Sequence, residues 1–319
     1  MSNLHIGVDL GGMKIAAGIV SDHGELITKS SMKTPRGAEN IADAIYNCAM
    51  LAMDLASIDI DDVSTVGVGV PGTVFPRGNI SFACNIGLKS TPLADMLESR
   101  FERPVFLEND GNCAAAGEYL AGSGVGSRSL LAVTLGTGIG GGYVENGRLF
   151  RGFNGCGAEL GHMVIVHGGR ECSCVRRGCF EAYASVSALI SMLRDYIENY
   201  PLCPCAVLSR ERGVVDGHTV FLAMDAGDSG AKELYQRYIS YLACGVTNLV
   251  NIFQPEIVCL GGGISARGER LLAPVREILM REDYARDCAE RTKLVAALLG
   301  NDAGIIGSAL LHKINTFGD

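Results

Sequence analysis

One histidine and three cysteines stand close together in the sequence, with the residue types and the spacing of a metal site. His162 is followed by Cys172 and Cys174, with one residue between them, and then by Cys179. Thiolate and imidazole groups are the usual ligands of structural Zn²⁺, which binds four of them in a tetrahedron. Closely spaced cysteines can instead be ordinary buried thiols, but a cysteine-rich loop in a cytosolic protein favours a metal. We therefore predict that these four side chains bind zinc.

A carboxylate follows a short predicted strand at 105–107, within the segment 108–112 (ENDGN). A carboxylate held at the end of a strand can take the proton of a hydroxyl group that attacks a phosphoryl group. Asp110 can also serve only as the N-cap of the helix predicted to begin near Gly111, because Asp is a favourable capping residue. Its position between the two halves of the chain favours the catalytic interpretation.

Glycines at 11–12 and at 136 and 138 lie where a predicted strand ends and the chain turns back. Glycine exposes successive backbone N–H groups there, and these can surround phosphate oxygens without interference from a side chain. An ordinary tight hairpin would use the same residues. Neither segment has the Lys-Ser/Thr of a P-loop or the following helix of a dinucleotide-binding fingerprint. Asp9, two residues before Gly11, is either a Mg²⁺ ligand acting through water or a turn-forming residue.

The predicted elements around the first glycine pair recur around the second. Strands at 4–10 and 15–20 flank the first pair, and strands at 130–135 and 139–144 flank the second. A turn follows in both copies, and in the second copy it is an Asn-Gly pair, a strong hairpin signal. The recurrence predicts a duplicated α/β domain.

The rest of the chain alternates between helical and strand patterns. Further strands are predicted at 63–70 and 257–260, and helices at 39–56, 93–101, 185–199, 231–253 and 303–315. We expect two domains, 1–118 and 119–302, with the C-terminal helical segment, about 303–319, packing back on the first domain.

The composition limits the classes of protein that this chain can be. With 48% hydrophobic and 19% charged residues, it has enough apolar mass for a core and too little charge for disorder. A net charge of −8 without a long basic run argues against a nucleic-acid partner. No apolar stretch reaches the roughly 18 residues that span a bilayer, so we expect no membrane partner. The 12 cysteines come without a secretory leader, so we expect reduced thiols in the cytoplasm.

Three segments together resemble the nucleotide-binding motifs of the actin-like ATPase superfamily, namely 9–14, 134–142 and 260–264. The resemblance implies an α/β fold of two actin-like (ribonuclease H-like) domains with ATP and Mg²⁺ in a central cleft. By the same resemblance, the residues at the nucleotide are Asp9, Gly11, Gly12, Met13, Lys14, Gly136, Thr137, Gly138, Gly262 and Gly263.

The stretch from Glu159 to Glu181, which includes the four predicted zinc ligands, resembles the signature of the ROK family (repressors, open reading frames and kinases). The resemblance implies that His162 touches a sugar with one ring nitrogen and structural Zn²⁺ with the other, since a metal-bound imidazole has a fixed orientation. It also makes Asp110 the catalytic base. The sugar-binding residues that it implies are Gly72, Asn85, Asn109, Asp110, Glu159, His162 and Glu181.

The same resemblance implies an ATP-dependent kinase that phosphorylates the 6-hydroxyl of a hexose, with glucose favoured by the segments 71–72, 85–87 and 159–162. An N-acetylhexosamine, fructose, mannose or allose is the alternative substrate, because hydroxyl recognition changes with a few side chains. A homodimer is implied as well. Repressors of the family have a helix-turn-helix before the first glycine pair, and we expect no room for one here.

Two positions depart from the family pattern. Met13 stands where the family has a Thr hydroxyl near the phosphates, so weakened ATP use, or a sugar-binding protein without catalysis, is the alternative that this residue raises. Val175 stands where the family has Gly after the second cysteine. That difference concerns the conformation of the loop and leaves the ligand set unchanged.

Overall fold

The computed structural model describes residues 3–75 and 78–316 of the chain. Its first half combines two sheets with three helices. The strands are β1 (Leu4–Leu10), β2 (Lys14–Ser21), β3 (Leu26–Lys33), β4 (Val63–Val70), β5 (Thr73–Phe75), β6 (Asn79–Ala83), β7 (Leu88–Thr91) and β8 (Val105–Asn109). The helices are α1 (Ala38–Ala56), α2 (Leu93–Phe101) and α3 (Asp110–Ala121).

The larger sheet of the first half has the strand order β3-β2-β1-β4-β8. In it β1, β4 and β8 run parallel, whereas β2 and β3 are antiparallel to their neighbours. β1 and β4 are buried along most of their length, which their continuous apolar runs allow. Parallel strands end at the same edge of a sheet, so Asp9, Val70 and Asn109 meet at that edge.

A second, three-stranded antiparallel sheet of β5, β6 and β7 follows β4 directly. The sequence pattern did not predict this sheet. It begins just after Gly72, and the 3₁₀ turn Cys84–Ile86, which contains Asn85, lies between β6 and β7. The small sheet therefore carries two of the expected sugar contacts.

The second half of the chain forms one mixed sheet with helices packed on it. The strands are β9 (Ser129–Leu135), β10 (Ile139–Glu145), β11 (Arg148–Leu149), β12 (Ile257–Gly261), β13 (Lys293–Ala296) and β14 (Asn315–Thr316). The helices are α4 (Glu181–Ala184), α5 (Val186–Asn199), α6 (Pro204–Arg212), α7 (Gly217–Asp225), α8 (Ser229–Phe253), α9 (Glu269–Glu282) and α10 (Ala303–Ala309).

The sheet of the second half repeats the arrangement of the first. Its order is β13-β12-β9-β10-β11-β14. The β9–β10 hairpin is antiparallel, and β12 runs parallel to β9. In the first half, β1 and β2 likewise form an antiparallel hairpin, and β4 runs parallel to β1. The unit of strand, glycine corner and strand thus occurs twice in a mixed α/β fold.

α10 is shorter than the helix predicted over 303–315, because it ends at Ala309. A 3₁₀ turn at Leu311–Lys313 follows, and β14 then pairs with β11. The chain therefore leaves the helix in order to join the second sheet. The expected helical residues 317–319 lie outside the described residues.

α10 lies against β1 and β4 of the first half. The approach is close because Gly67 in β4 has no side chain, and a Cβ atom there would overlap the carbonyl oxygen of Ser308. The C-terminal segment therefore contacts both halves of the chain.

Each large sheet has its own hydrophobic core. One core lies between the first sheet and α1 and α2, and the other lies between the second sheet and α5, α7, α8 and α9. A cleft lies between the two halves. The helices α10 and α3 pack against each other and connect the halves. Within the described residues, no helix has both the length and the apolar character needed to cross a bilayer.

Candidate active site

A cleft with a volume of about 470 Å³ opens between the two halves, at the edge where the parallel strands end. It brings together the predicted base, the predicted sugar-side carboxylates and several of the predicted phosphate-side glycines. The expected site residues that line it are Asp9, Asp110, Gly136, Gly138, Glu159, His162, Glu181 and Gly262.

Asp110 is the first residue of α3, and the cap of that helix is its neighbour Asn109. The Asn109 side-chain oxygen accepts hydrogen bonds from the backbone N–H groups of Gly111 (2.9 Å) and Asn112 (3.2 Å). The capping interpretation of Asp110 is therefore wrong. The Asp110 carboxylate accepts one hydrogen bond from Gly111 N (2.8 Å) and opens into the cleft.

The pKa of the Asp110 carboxyl is raised to about 6. Burial is the largest cause: solvent reaches the side chain through the mouth of the cleft, but protein surrounds it on the other sides. The charges of Asp9 and Glu159 raise this pKa further, against the effect of the Gly111 hydrogen bond. A carboxylate with this pKa is mostly ionised at neutral pH and is more basic than an ordinary Asp, which suits a general base.

Asn109, Gly72 and Asn85 lie on the first-half side of the site, although they do not line the cleft itself. The Asn109 side-chain amide donates to the carbonyl oxygen of Gly72 at 3.3 Å. Gly72 sits tightly on the small sheet, where a Cβ atom would overlap the backbone of Phe82. Asn85 lies over the first glycine corner, because a Cβ atom on Gly12 would be 3.6 Å from the Asn85 carbonyl oxygen.

Glu159 and His162 come from the other half, at a 3₁₀ turn over Leu160–His162. The turn packs on β10 through Gly161, where a side chain would overlap the carbonyl of Ile139. The Glu181 carboxylate completes this wall and accepts hydrogen bonds from Cys172 Sγ and Ser173 Oγ, each at 3.0 Å. Acidic and imidazole groups thus face Asp110 across the cleft.

The first glycine corner is closed by backbone hydrogen bonds. Gly11 N donates to Lys14 O at 2.9 Å, and the Thr34 hydroxyl donates to Gly11 O at 2.7 Å. Met13 lies at the tip of the corner, with 87% of its side chain exposed. Burial raises the pKa of Asp9 beside it, and the charge of Lys14 opposes that rise.

The second corner lies against the end of β12. Gly136 N donates to Gly138 O at 3.0 Å. A Cβ atom on Gly138 would be 2.6 Å from Glu181 Oε2, so this corner touches the sugar-side wall. Gly262 has a φ of +87°, and a side chain there would overlap the backbone of Leu135.

Beyond this corner lies a second, more apolar cavity of about 400 Å³. Thr137 and Gly263, two of the expected nucleotide residues, line it together with Leu135, Ile190 and Ile264. Its apolar walls and its position next to the second corner suit a flat heterocycle whose phosphates extend into the main cleft.

The four predicted metal ligands lie together behind His162, and their ligand atoms are all within 4.8 Å of one another. Cys174 Sγ and Cys179 Sγ are 3.7 Å apart, and Cys172 Sγ is 3.7 Å from His162 Nδ1. In a tetrahedron with Zn–S bonds of 2.3 Å, neighbouring sulfurs are separated by roughly 3.8 Å. The residues present therefore fit zinc.

The cleft also has lining residues that the sequence analysis did not single out. They include Glu118, the residues Gly300 and Asn301 before α10, and Gly304 in the first turn of α10. His218 and Arg267, which line the apolar cavity, were not singled out from the sequence either. The turn chemistry of Gly300-Asn301 was the available signal for the first group, because such residues mark the start of a helix near a ligand.

Comparison with known proteins gives consistent matches. The sequence model of the ROK family matches residues 5–314. The glucokinase of Thermotoga maritima is 39% identical, covering 97% of this chain and 96% of the relative. The glucokinase of Halalkalibacterium halodurans is 35% identical, with 97% and 94% covered. The crystal structure of a ROK family glucokinase from Streptomyces griseus with glucose and AMPPNP has a TM-score of 0.82, 36% identity and coverage of 97% of this chain and 98% of that one.

Proposed function

The chain belongs to the ROK family, and we propose that it is a glucokinase, which transfers the γ-phosphoryl group of ATP to the 6-hydroxyl of glucose. Its fold is that of the ROK glucokinase structures, the actin-like ATPase fold. The single observation that carries the proposal is the Asp110 carboxylate, which lies between a glycine corner and an acidic wall and has a pKa of about 6.

Asp110 acts as the general base of this reaction. It takes the proton of the sugar 6-hydroxyl while the sugar oxygen bonds to the γ-phosphorus, and ADP leaves with the electron pair of the broken bond. At neutral pH its carboxylate is ionised and ready to accept that proton.

The nucleotide lies along the glycine corners. Gly11 N and Gly136 N close their own corners, so the phosphates would lie against the backbone N–H groups of Gly12, Thr137 and Gly138, with Lys14 as a nearby cation. The base would enter the apolar cavity at Gly263. The half-buried Asp9 carboxylate is a hard oxygen donor beside these corners, and it would hold Mg²⁺ through water. When bound, Mg²⁺ neutralises charge on the phosphates.

Glucose lies against the opposite wall. Glu159, His162, Glu181 and Asn109 hydrogen-bond its hydroxyls, and Gly72 and Asn85 bound the site on the small-sheet side. His162 can serve two purposes because its Nδ1 is the atom near Cys172, which leaves Nε2 for the sugar. His162, Cys172, Cys174 and Cys179 would hold structural zinc, and a metal-bound imidazole would keep a fixed orientation toward the sugar.

The two halves act as domains that close on the substrates. We take the first as 1–118 with the C-terminal segment packed on it, and the second as 119–302. Closure excludes water, so that the phosphoryl group reaches the sugar and not solvent. The protein would work in the cytoplasm as a homodimer, without a nucleic-acid or membrane partner. Its net charge of −8 agrees with the expectation of no nucleic-acid partner.

A coupled ADP-release assay with ATP and Mg²⁺ across a hexose panel tests the proposal. We expect the highest kcat/KM with glucose and no turnover with 6-deoxyglucose, which lacks the attacking hydroxyl. A higher kcat/KM for an N-acetylhexosamine, fructose, mannose or allose would change the substrate. Sugar binding without turnover on any hexose would leave a sugar-binding protein, the alternative that Met13 raises.

A further inference from the structure

One buried ion pair joins the two halves directly behind the catalytic segment. Glu108 is the residue before Asn109 in β8, and its side chain is 5% exposed. Arg151 follows β11 in the other half, and its Nε donates to Glu108 Oε2. A second Arg151 nitrogen, Nη2, donates to the carbonyl oxygen of Leu107 at 3.1 Å. Arg151 therefore binds both the side chain and the backbone of the strand that ends at the base.

Glu108 in turn fixes the start of α3. Its Oε1 accepts hydrogen bonds from the backbone N–H of Asn109 (2.8 Å) and from the Asn112 side-chain amide (3.0 Å). Asn109 caps α3 with its own side chain. The carboxylate thus holds the backbone on one side of Asp110 and a side chain from the first turn on the other.

Arg151 stands at the start of the loop that leads to Glu159. Gly157 N donates to Arg151 O at 2.8 Å, which closes this loop on itself. The loop rests on the small sheet of the first half, because Gly155 packs against the backbone of Val74 with no room for a Cβ atom. The same arginine therefore anchors both the base-bearing strand and the loop that supplies the sugar-side wall.

We propose that Glu108 and Arg151 form a positioning pair that sets the distance of Asp110 from the sugar-binding wall of the other domain. The inference rests on the proposed kinase activity. A buried ion pair is a poor source of stability, because desolvation of the two charges offsets most of their attraction. Its value here is geometric, since an error of about 1 Å in the placement of reacting groups lowers the rate by roughly 100-fold.

The experiment compares this pair with a matched one in the second half. Arg291 and Asp283 are similarly buried, with 24% and 1% of their side chains exposed against 21% and 5% for Arg151 and Glu108. Asp283 follows α9 and lies outside the cleft lining. For each pair, kcat, the KM values for glucose and for ATP, and the melting temperature are measured for the single and double variants. For the pair at the cleft these variants are Arg151→Met, Glu108→Gln and both together.

We expect Arg151→Met to lower kcat by about 10–100-fold with a smaller change in KM for ATP, and Arg151→Lys to recover part of kcat. The double variant leaves no unpaired buried charge, so its melting temperature recovers while kcat stays low. In the control pair, Arg291→Met lowers the melting temperature and leaves kcat within about twofold of the wild type.

Recovery of kcat together with stability in the Glu108→Gln/Arg151→Met variant would overturn the inference, as would equal kcat losses in the two pairs. Either result leaves the kinase proposal in place, because it depends on an active wild-type chain. A wild-type chain without turnover on any hexose would overturn the proposed function and the positioning role together.

Discussion

The two ends of the cleft are built by different means. The proposed nucleotide end consists largely of backbone, at the glycine corners around Gly136 and Gly262. The proposed sugar end consists of side chains that hold one another, such as the Glu181 carboxylate, which accepts a hydrogen bond from Ser173 Oγ. A backbone site tolerates changes of side chain, whereas a side-chain site depends on each member. The largest effects of substitution are therefore expected at the sugar end.

Asp110→Asn tests the most sensitive point of the sugar end. The amide cannot accept the proton of the 6-hydroxyl, so we expect kcat to fall by about 10²–10⁴-fold, the contribution of general-base catalysis. Glucose binding, measured by calorimetry, should change little because the amide is the same size. Asp95→Asn, on the exposed face of α2, is the control and should keep full activity. Near-normal kcat in Asp110→Asn would remove the base assignment and leave the family unchanged.

Cys174→Ser tests whether the sugar end depends on the proposed zinc site behind it. Loss of one thiolate weakens tetrahedral zinc binding and frees the His162 ring, so we expect about a 10–100-fold loss in kcat/KM for glucose. The KM for ATP should change much less, because the glycine corners do not use this cluster. Metal analysis of the purified wild type should give one zinc per chain. Cys203→Ser, a cysteine outside the cluster, is the control.

The pH dependence of kcat/KM follows from the raised pKa of Asp110. The carboxyl must be ionised to act as a base, so activity is full above its pKa of about 6 and is lost as pH falls through that value. At pH 5 we expect about one tenth of the activity at pH 7. Glu159→Gln removes a neighbouring negative charge that raises this pKa, so the acidic limb should move to lower pH. An unchanged limb in that variant would contradict the assignment of the limb to Asp110.

The features predictable from the sequence were those with a local signature. Glycine corners, alternating strand patterns and the His-Cys₃ spacing each follow from a few neighbouring residues, and the structure has all three. The chemical role of Asp110 was ambiguous in the sequence because capping depends on backbone geometry. The structure gives the cap to Asn109, which excludes the capping interpretation and leaves the catalytic role of Asp110 as a proposal.

The features that escaped prediction depend on partners distant in the sequence. The sequence pattern does not predict a helix over 269–282, where Pro274 argues against one. The structure has α9 there. Pro274 has no N–H to donate to the carbonyl oxygen of Arg270, and the Tyr235 hydroxyl donates to that oxygen instead, at 2.8 Å. The Glu108–Arg151 contact likewise spans the two halves. No local pattern contains such pairs.

Met13→Thr tests the tolerance of the nucleotide end. The Met13 side chain is 87% exposed at the corner, so a hydroxyl can be placed there without repacking. One added hydrogen bond to a phosphate contributes about 1 kcal/mol, so we expect the KM for ATP to fall by roughly fivefold. The KM for glucose should not change. A Met13→Ala control separates the hydroxyl from the loss of the methionine side chain, and equal effects of the two variants would contradict the added bond.

Val175 is the departure from the family pattern at the sugar end, and it affects the conformation of the backbone. Its φ is +64°, a conformation that a β-branched residue adopts only with strain. The hydrogen bonds Val175 N to Cys172 O and Cys172 N to Arg176 O, both 2.9 Å, define a three-residue hairpin loop whose last position favours Gly. The strain is therefore built into the loop that carries Cys172 and Cys174, two of the proposed zinc ligands.

Val175→Gly should relieve this strain and raise the free energy of unfolding by about 1 kcal/mol, less the entropy that Gly adds to the unfolded chain. Because the loop relaxes in its ligand-bearing conformation, zinc release to a chelator should also slow, while kcat stays unchanged. Val175→Ala removes the β-branch but keeps Cβ, so it should recover only part of the gain. If the Val175→Gly variant were less stable than the Val175→Ala variant, the loop would avoid the left-handed conformation. The sugar end would then tolerate Val175 as well as the nucleotide end tolerates Met13.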